Sequence, residues 1–377
     1  MTAPRPTAAR PGGLRPPARI ARIETVLHPA HSTLVHVIAH ADDGSTGTGE
    51  THGHPAAVAA LIQEFATELI GVEATPARVA DVCRRGPYGS TRGGGPVSVE
   101  SRAASALDIA IWDLLARRLQ VPLAGLLGGA ARQLVPTYNT CTGPDHDESL
   151  RDPGAVASDL AADGFAMMKI WPFAPGRDIP ADVDLVRAAS SVGVAVAVDL
   201  VGQFDLATAS RICGLLDPLG LAWIEDPAPD AGHGALAYLA RNLTTLICTG
   251  ERLAGADAYE RLVSDGVVGI VHSDVAWCGG VSETLRIAAV AAAHGRPLTL
   301  HDASGPVAWA TSLHVAQHLA VTTLVESSRF EIRNVYPTIA DGLPTLDGGG
   351  IAPTGPGHGI TLAPAYLASA RRSSIPG

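Results

Sequence analysis

A chain of 377 residues with 46% hydrophobic and 17% charged side chains is long enough for one large barrel and a smaller domain, and it reads as globular. Its net charge of −10 excludes an extended basic face for nucleic acid, and no apolar run approaches the ~20 residues of a membrane span, so neither is an expected partner and the cytoplasm is the expected location. Five cysteines without CxxC or other zinc spacing exclude a disulfide framework and a zinc finger, and read as buried thiols.

Residues 1–17, with five prolines and three arginines, read as a disordered leader outside the fold. The runs Arg22–Leu27 and Thr33–His40, followed by the turn Ala41–Gly44, predict strands joined by tight turns. Helical patterns follow at 56–70, at 76–85 and, most regularly, at Ser101–Arg118, whose final basic residues suit a helix C-terminus. Residues 18–131 are therefore expected to form an α+β domain.

From Val135 short apolar runs alternate with alanine-rich helical segments, the pattern of βαβ units around a parallel sheet. Expected strands are Pro136–Thr140, Ala166–Ile170, Gly193–Val198, Leu221–Ile224, Thr245–Thr249, Gly269–His272, Pro297–Leu300 and Thr322–Val325. From the second strand onward each run ends at a polar residue: Lys169, Asp199, Glu225, Glu251, Asp274, His301 and Glu326, separated by 30, 26, 26, 23, 27 and 25 residues. One strand, one helix and two loops need about that length in an eight-fold barrel of ~250 residues. The reading is an α/β fold, with a TIM-type barrel over 132–335 and a C-terminal segment over 336–377.

In a parallel barrel all strand C-termini open on one face, so these seven residues converge on one mouth. A single acidic residue there would pass as a helix cap, but Asp and Glu are poor strand formers and costly to bury, so a whole series calls for a chemical reason. Asp199, Glu225 and Glu251, on consecutive strands, can offer three carboxylates to one hard divalent cation, for which Mg²⁺ is the expected cofactor, one per subunit. Asp274 can fix the tautomer of His301 and raise its basicity, as a general base requires. Glu326 can accept a hydrogen bond from a substrate, or donate one if protonated. Lys169 is the only lysine among 27 basic residues, and a compact ammonium there can add positive charge beside a carboxylate substrate or act as a second acid or base. Together these groups suit removal of a proton next to a small-molecule carboxylate.

The segments Ala104–Asp113, Leu126–Gly129, Ile224–Pro227, Gly250-Glu251, Cys278–Gly280 and Gly355–Gly357 occur in an order and spacing that resemble the enolase superfamily, in its mandelate racemase and muconate lactonizing enzyme branch, over roughly residues 20–362. The resemblance implies an N-terminal capping domain over a modified (β/α)7β barrel, a C-terminal segment returning to the cap, and a homo-oligomer, dimer or octamer. It also implies Mg²⁺ on Asp199, Glu225 and Glu251, a His301–Asp274 dyad and Glu326 near the substrate carboxylate. Two-base members carry Lys-x-Lys at the second strand; here the pair reads Lys169-Ile170-Trp171, and the third strand reads Asp199-Leu200-Val201 with no acid after the ligand. One-base chemistry through His301 is the expectation, and syn dehydration of a sugar acid or related hydroxy-acid fits it. Racemisation, epimerisation or cycloisomerisation on the same enolate, and a non-catalytic metal-binding barrel, remain alternatives. Specificity is expected from cap segments Leu27–Ser32, Thr51–His54 and Arg85–Gly95, with Trp171, Tyr138, His52 and His54 as substrate-binding candidates. The His52/His54 pair reads as incidental loop histidines rather than a second metal site.

Overall fold

The structure is a computed structural model and describes residues 17–85, 95–229, 233–347 and 349–376; the leader reading, as far as residue 16, lies outside the described residues. Eight parallel strands, Val135–Thr140, Met167–Ile170, Ala195–Asp199, Trp223–Glu225, Ile247–Thr249, Ile270–Ser273, Leu298–Leu300 and Thr322–Ser327, follow one another around a ring. The eighth pairs with the first, Glu326 opposite Tyr138, which closes the barrel. Helices occupy the seven intervals between strands, so this is a TIM-type barrel of (β/α)7β form.

Strand alternation explains how the sequence builds both a core and a mouth. Tyr138, Met167, Ala197, Trp223, Cys248 and Ile270 form one interior apolar layer. Side chains on one strand face recur every second residue, so the next inward positions on the first four strands are Thr140, Lys169, Asp199 and Glu225, one layer nearer the mouth. Large side chains plug the tube below, and polar ones crown it.

The N-terminal region is a separate antiparallel sheet with its own apolar cluster. Its strands Ile20–Leu27, Leu34–Ala41 and Thr46–His52 lie in that order, and the C-terminal strand Arg371–Pro376 pairs with the first, Ile23 opposite Ile375. Three helices, Pro55–Leu69, Pro76–Arg85 and Val99–Leu119, accompany it. The longest starts at a capping box between Ser98 and Ser101 and ends beside Arg117 and Arg118.

The strand Thr46–His52 carries two glycines, which weaken a strand, and tertiary packing explains them. A Cβ at Gly47 would lie 2.2 Å from Ala110 O, and one at Gly49 1.9 Å from Ala106 O. The two glycines let the strand lie directly on the long helix. Among the described residues no helix is long and apolar enough to cross a membrane.

Candidate active site

A cavity of about 580 Å³ opens at the C-terminal mouth of the barrel, between the strand ends and the cap. Lys169, Asp199, Glu251, His301 and Glu326 line it, while Glu225 and Asp274 stand buried behind them.

Lys169 is 2% exposed, and its Nζ lies 2.5 Å from Glu225 Oε1, 2.8 Å from Glu326 Oε1 and 3.9 Å from Asp199 Oδ2. Burial works against the ammonium, but Glu225, Glu326, Asp199 and Glu251 outweigh it and hold its pKa well above the usual lysine range. A lysine held charged in this way acts as a fixed cation. The same crowding works on the carboxylates in opposite senses. Burial and mutual repulsion push Asp199, Glu225 and Glu251 up, partly offset by Lys169 and His301. Burial also disfavours Glu326 charge, yet Lys169 and His301 together pull its pKa below the ordinary range. Of the two roles open to Glu326 from sequence, its surroundings favour the hydrogen-bond acceptor.

His301 Nδ1 donates to Asp274 Oδ2 at 2.7 Å, which leaves Nε2 facing Glu251 Oε2 at 3.1 Å and Glu326 Oε2 at 3.8 Å. Burial lowers the imidazole pKa, but Glu251, Glu326 and Asp274 prevail and raise it well above the usual value. The strand-end trio therefore combines carboxylates that are buried at Glu225 and Glu251 and partly buried at Asp199, with raised pKa values, a donor set that fits a hard divalent cation.

Strained backbone marks the same positions. Val201, two residues beyond Asp199, has φ 55°, an unfavourable region for a β-branched residue, and its N–H donates to Asp199 Oδ1 at 2.6 Å. Asp226, directly after Glu225, has φ 38° and accepts from Thr249 Oγ1 at 2.6 Å. Each unusual residue fixes the chain next to one of the three carboxylates.

The substrate-binding candidates separate. Trp171 lines the cavity, donates from Nε1 to Cys141 O at 2.9 Å and stacks on His146 at 3.9 Å; His52 lines it as well. Tyr138 does not reach the cavity: fully buried, it lies in the layer beneath, its ring 5.6 Å from Lys169 Nζ, and its same-face successor Thr140 occupies the mouth instead. His54 does not reach it either. The strand ends at His52, the chain turns at Gly53, and His54 is an exposed residue before the helix Pro55–Leu69. Of the cap segments, Ala30–Ser32 and His52 border the cavity, whereas residues 86–94 lie outside the described residues.

Several wall residues were missed from sequence. Asp302 accepts from Tyr336 Oη at 2.9 Å, and both line the cavity with Glu331. Trp277 packs 4.9 Å from His301. His272 lies deeper, 3.6 Å from Glu225 Oε1 and 3.7 Å from Glu326 Oε2. With Glu225 and Cys248 it forms a group of metal-capable atoms within 4.8 Å of one another; burial, His301 and Lys169 push the His272 pKa down, and burial pushes the Cys248 thiol well up. His272 was findable, since it stands two residues before Asp274 on an alternating strand; Tyr336, Trp277 and Glu331 come from loops and helices that no strand pattern reaches. A larger cavity, about 710 Å³, lies beside Arg84, Asp108 and Glu283 and contains none of the strand-end residues.

A closed parallel barrel under a cap, with acids, one lysine and a His–Asp dyad at its mouth, defines a class of barrel enzymes that act on carbon acids. Two family models narrow the class: the mandelate racemase / muconate lactonizing enzyme N-terminal domain matches residues 9–128, and the enolase C-terminal domain-like family matches 154–366. The chain belongs to the enolase superfamily, in its mandelate racemase and muconate lactonizing enzyme branch. It is 32% identical over 345 residues to a D-galactonate dehydratase of Verminephrobacter eiseniae, covering 86% of this chain and 88% of the relative. A D-galactonate dehydratase of Ralstonia nicotianae is 29% identical over 346 residues, 88% of this chain and 90% of that one. Among solved structures, an enolase protein from Sargasso Sea environmental sequencing superposes with a TM-score of 0.86 at 34% identity, over 96% of this chain and 99% of that one. L-talarate dehydratase from Polaromonas sp. JS666, complexed with Mg and L-glucarate, gives 0.82 at 26% identity, over 96% and 99%.

Proposed function

We propose that this enzyme dehydrates a sugar acid, and that its substrate is a monoacid with a neutral polyhydroxyl chain. The observation that carries the reaction type is the uneven mouth. Trp171 occupies the place of a second strand-two base, with its Nε1 committed to Cys141 O, and Val201 is apolar. Lys169, beside them, is pinned between Glu225 and Glu326. His301 is the group left to move protons.

The steps balance with His301 alone. Its Nε2 takes the proton α to the carboxylate, giving an enolate; the imidazolium then returns that proton to the β-hydroxyl, which leaves as water. The enol that results becomes the 2-keto acid by taking a solvent proton at the former β-carbon and releasing its hydroxyl proton to solvent. Asp274 holds the Nδ1–H tautomer throughout, Glu326 accepts a substrate hydrogen bond, and Lys169 supplies positive charge near the acid end. Asp199, Glu225 and Glu251 are the residues that would hold Mg²⁺, which when bound supplies charge stabilisation to the substrate's acid group, worth several kcal/mol.

The lining supports the substrate class. Ser32, Thr33, Thr140, Thr142, Ser304 and Ser328 offer hydroxyls, and Asp302 and Glu331 can accept from a polyol. Lys169 is the sole lysine or arginine among the described lining residues, and the pKa values of His31 and His52 are lowered, chiefly by burial. Among the described lining residues no lysine or arginine besides Lys169 is there to pair with a second carboxylate. The D-galactonate dehydratase relatives agree with a monoacid.

The test is turnover of aldonic and aldaric acids with Mg²⁺ by the protein and by His301→Asn. Dehydration of one or more aldonates, lost by about 10³-fold or more in the variant, is expected. Preference for a diacid would overturn the substrate class. Absence of turnover across the panel, with ligand binding intact in His301→Asn, would favour a binding barrel.

A further inference from the structure

The cap does more than cover the cavity: one of its strands reaches the loops that carry both members of the His–Asp dyad. Thr51, next to last in the strand Thr46–His52 and fully buried, donates from Oγ1 to Ala276 O at 2.6 Å. Ala276 is two residues beyond Asp274, and its N–H donates to Asp274 Oδ1 at 2.7 Å. The other carboxylate oxygen, Oδ2, accepts from His301 Nδ1 at 2.7 Å. The Ala276 backbone thus joins a cap hydroxyl, bonded to its C=O, to Asp274, bonded to its N–H, and Asp274 in turn holds His301.

A second line of contact reaches the same imidazole. Arg102, on the cap helix Val99–Leu119, holds its guanidinium 4.2 Å above the Trp277 ring, and that ring lies 4.9 Å from His301 at 54°. The same arginine donates through Nη1 to His52 O, next to Thr51. A third contact acts on the loop after His301. Successive residues of a strand project to opposite faces, so Glu50 points away from Thr51, and its Oε1 accepts from Ala308 N–H at 3.0 Å at the start of the helix Pro306–His318. Glu50 is itself buried beside His36 Nε2 at 2.8 Å.

We propose that Thr51 is a positioning residue for the Asp274–His301 dyad, acting from the cap through Ala276, with the Arg102–Trp277 stack as a parallel support. This inference rests on the reading of His301 as the proton-transferring group. Its physical basis is that a carboxylate with two oxygens can orient the imidazole only if its own torsion is fixed. The Ala276 N–H fixes Oδ1, and Thr51 in turn fixes the Ala276 backbone. Substrate binding draws mainly on other cavity walls, so a loosened dyad is expected to slow chemistry more than it weakens binding.

The experiment compares Thr51→Val, which keeps the shape and removes the hydroxyl, with Thr51→Ser, which keeps the hydroxyl. Both are made in the full chain with Mg²⁺ present. Circular dichroism and thermal unfolding confirm that each variant folds. Turnover of the best aldonate gives kcat and KM, and proton NMR follows the downfield Nδ1–H resonance of His301, assigned through its loss in His301→Asn. Thr51→Val is expected to lower kcat by about tenfold to a hundredfold, with KM within about twofold, and to shift or broaden the resonance; Thr51→Ser is expected to restore both. Wild-type kcat and an unmoved resonance in folded Thr51→Val would overturn the proposal, as would equal defects in the two variants. If no acid is turned over by the wild type, the dehydration reading fails, and the resonance alone decides the positioning role.

Discussion

Lys169 is a point charge that carboxylates on three other strands compete for, Glu225, Glu326 and Asp199. An ammonium can serve several acceptors in different directions from one buried stem, whereas a guanidinium is a flat fork suited to paired oxygens in its own plane. That geometry accounts for a lysine in a chain that otherwise uses arginine. Lys169→Met is expected to lower kcat by about 10³-fold or more while calorimetric Mg²⁺ affinity changes by less than about tenfold. Normal turnover in the variant would remove Lys169 from the chemistry. The strand-end series was readable because Lys169, Asp199, Glu225 and Glu326 are residue types that a strand end does not hold without cause. Tyr138 and His54 were misplaced for a different reason. Which two-residue step of a strand reaches the mouth, and where a chain goes after its strand ends, depend on register and turn geometry that residue type does not encode.

At the scale of elements, the cap helix Val99–Leu119 and the barrel helix Gly280–Ala293 are joined through Asp108. This buried carboxylate accepts from Ser282 N at 2.9 Å and from Ser282 Oγ at 2.6 Å. Burial dominates over these hydrogen bonds and pushes its pKa from 3.8 to about 7. The folded state therefore holds a proton that the unfolded chain releases between about pH 4 and pH 7, so the contribution of Asp108 to stability falls as pH rises through that window and is constant above it. Asp108→Asn removes this dependence. Urea unfolding of both proteins at pH 4.5 and 7.5 is expected to show the variant gaining on the wild type at the higher pH, by at most about 4 kcal/mol. Parallel behaviour at the two pH values would contradict the assignment. The long helix itself was legible from its periodicity. The strand Thr46–His52 was not, because Gly47 and Gly49 are there to admit the helix backbone and carry no strand signal.

At the scale of the whole molecule, cap and barrel form one machine whose parts come from distant sequence. The cavity is bounded by Ser32 and His52 from the cap, Lys169 and Glu251 from the barrel, and Tyr336 after the last barrel strand. The chain returns to the cap sheet at Arg371–Pro376. The barrel was readable from its repeat of strands and helices, since each unit repeats the same local pattern. The cap contacts on the dyad, such as Thr51 to Ala276, were not, because they join residues 225 apart and depend on how the two layers meet. The central claim is that His301 removes an α-proton and that water is then lost. The most direct measurement is turnover of an aldonate with Mg²⁺ in deuterated water, followed by mass spectrometry and proton NMR. The account predicts a product lighter than the substrate by one water, before the gain of one deuteron at the former β-carbon, and no such product from His301→Asn. Substrate that gains deuterium at the α-carbon without losing water would contradict it.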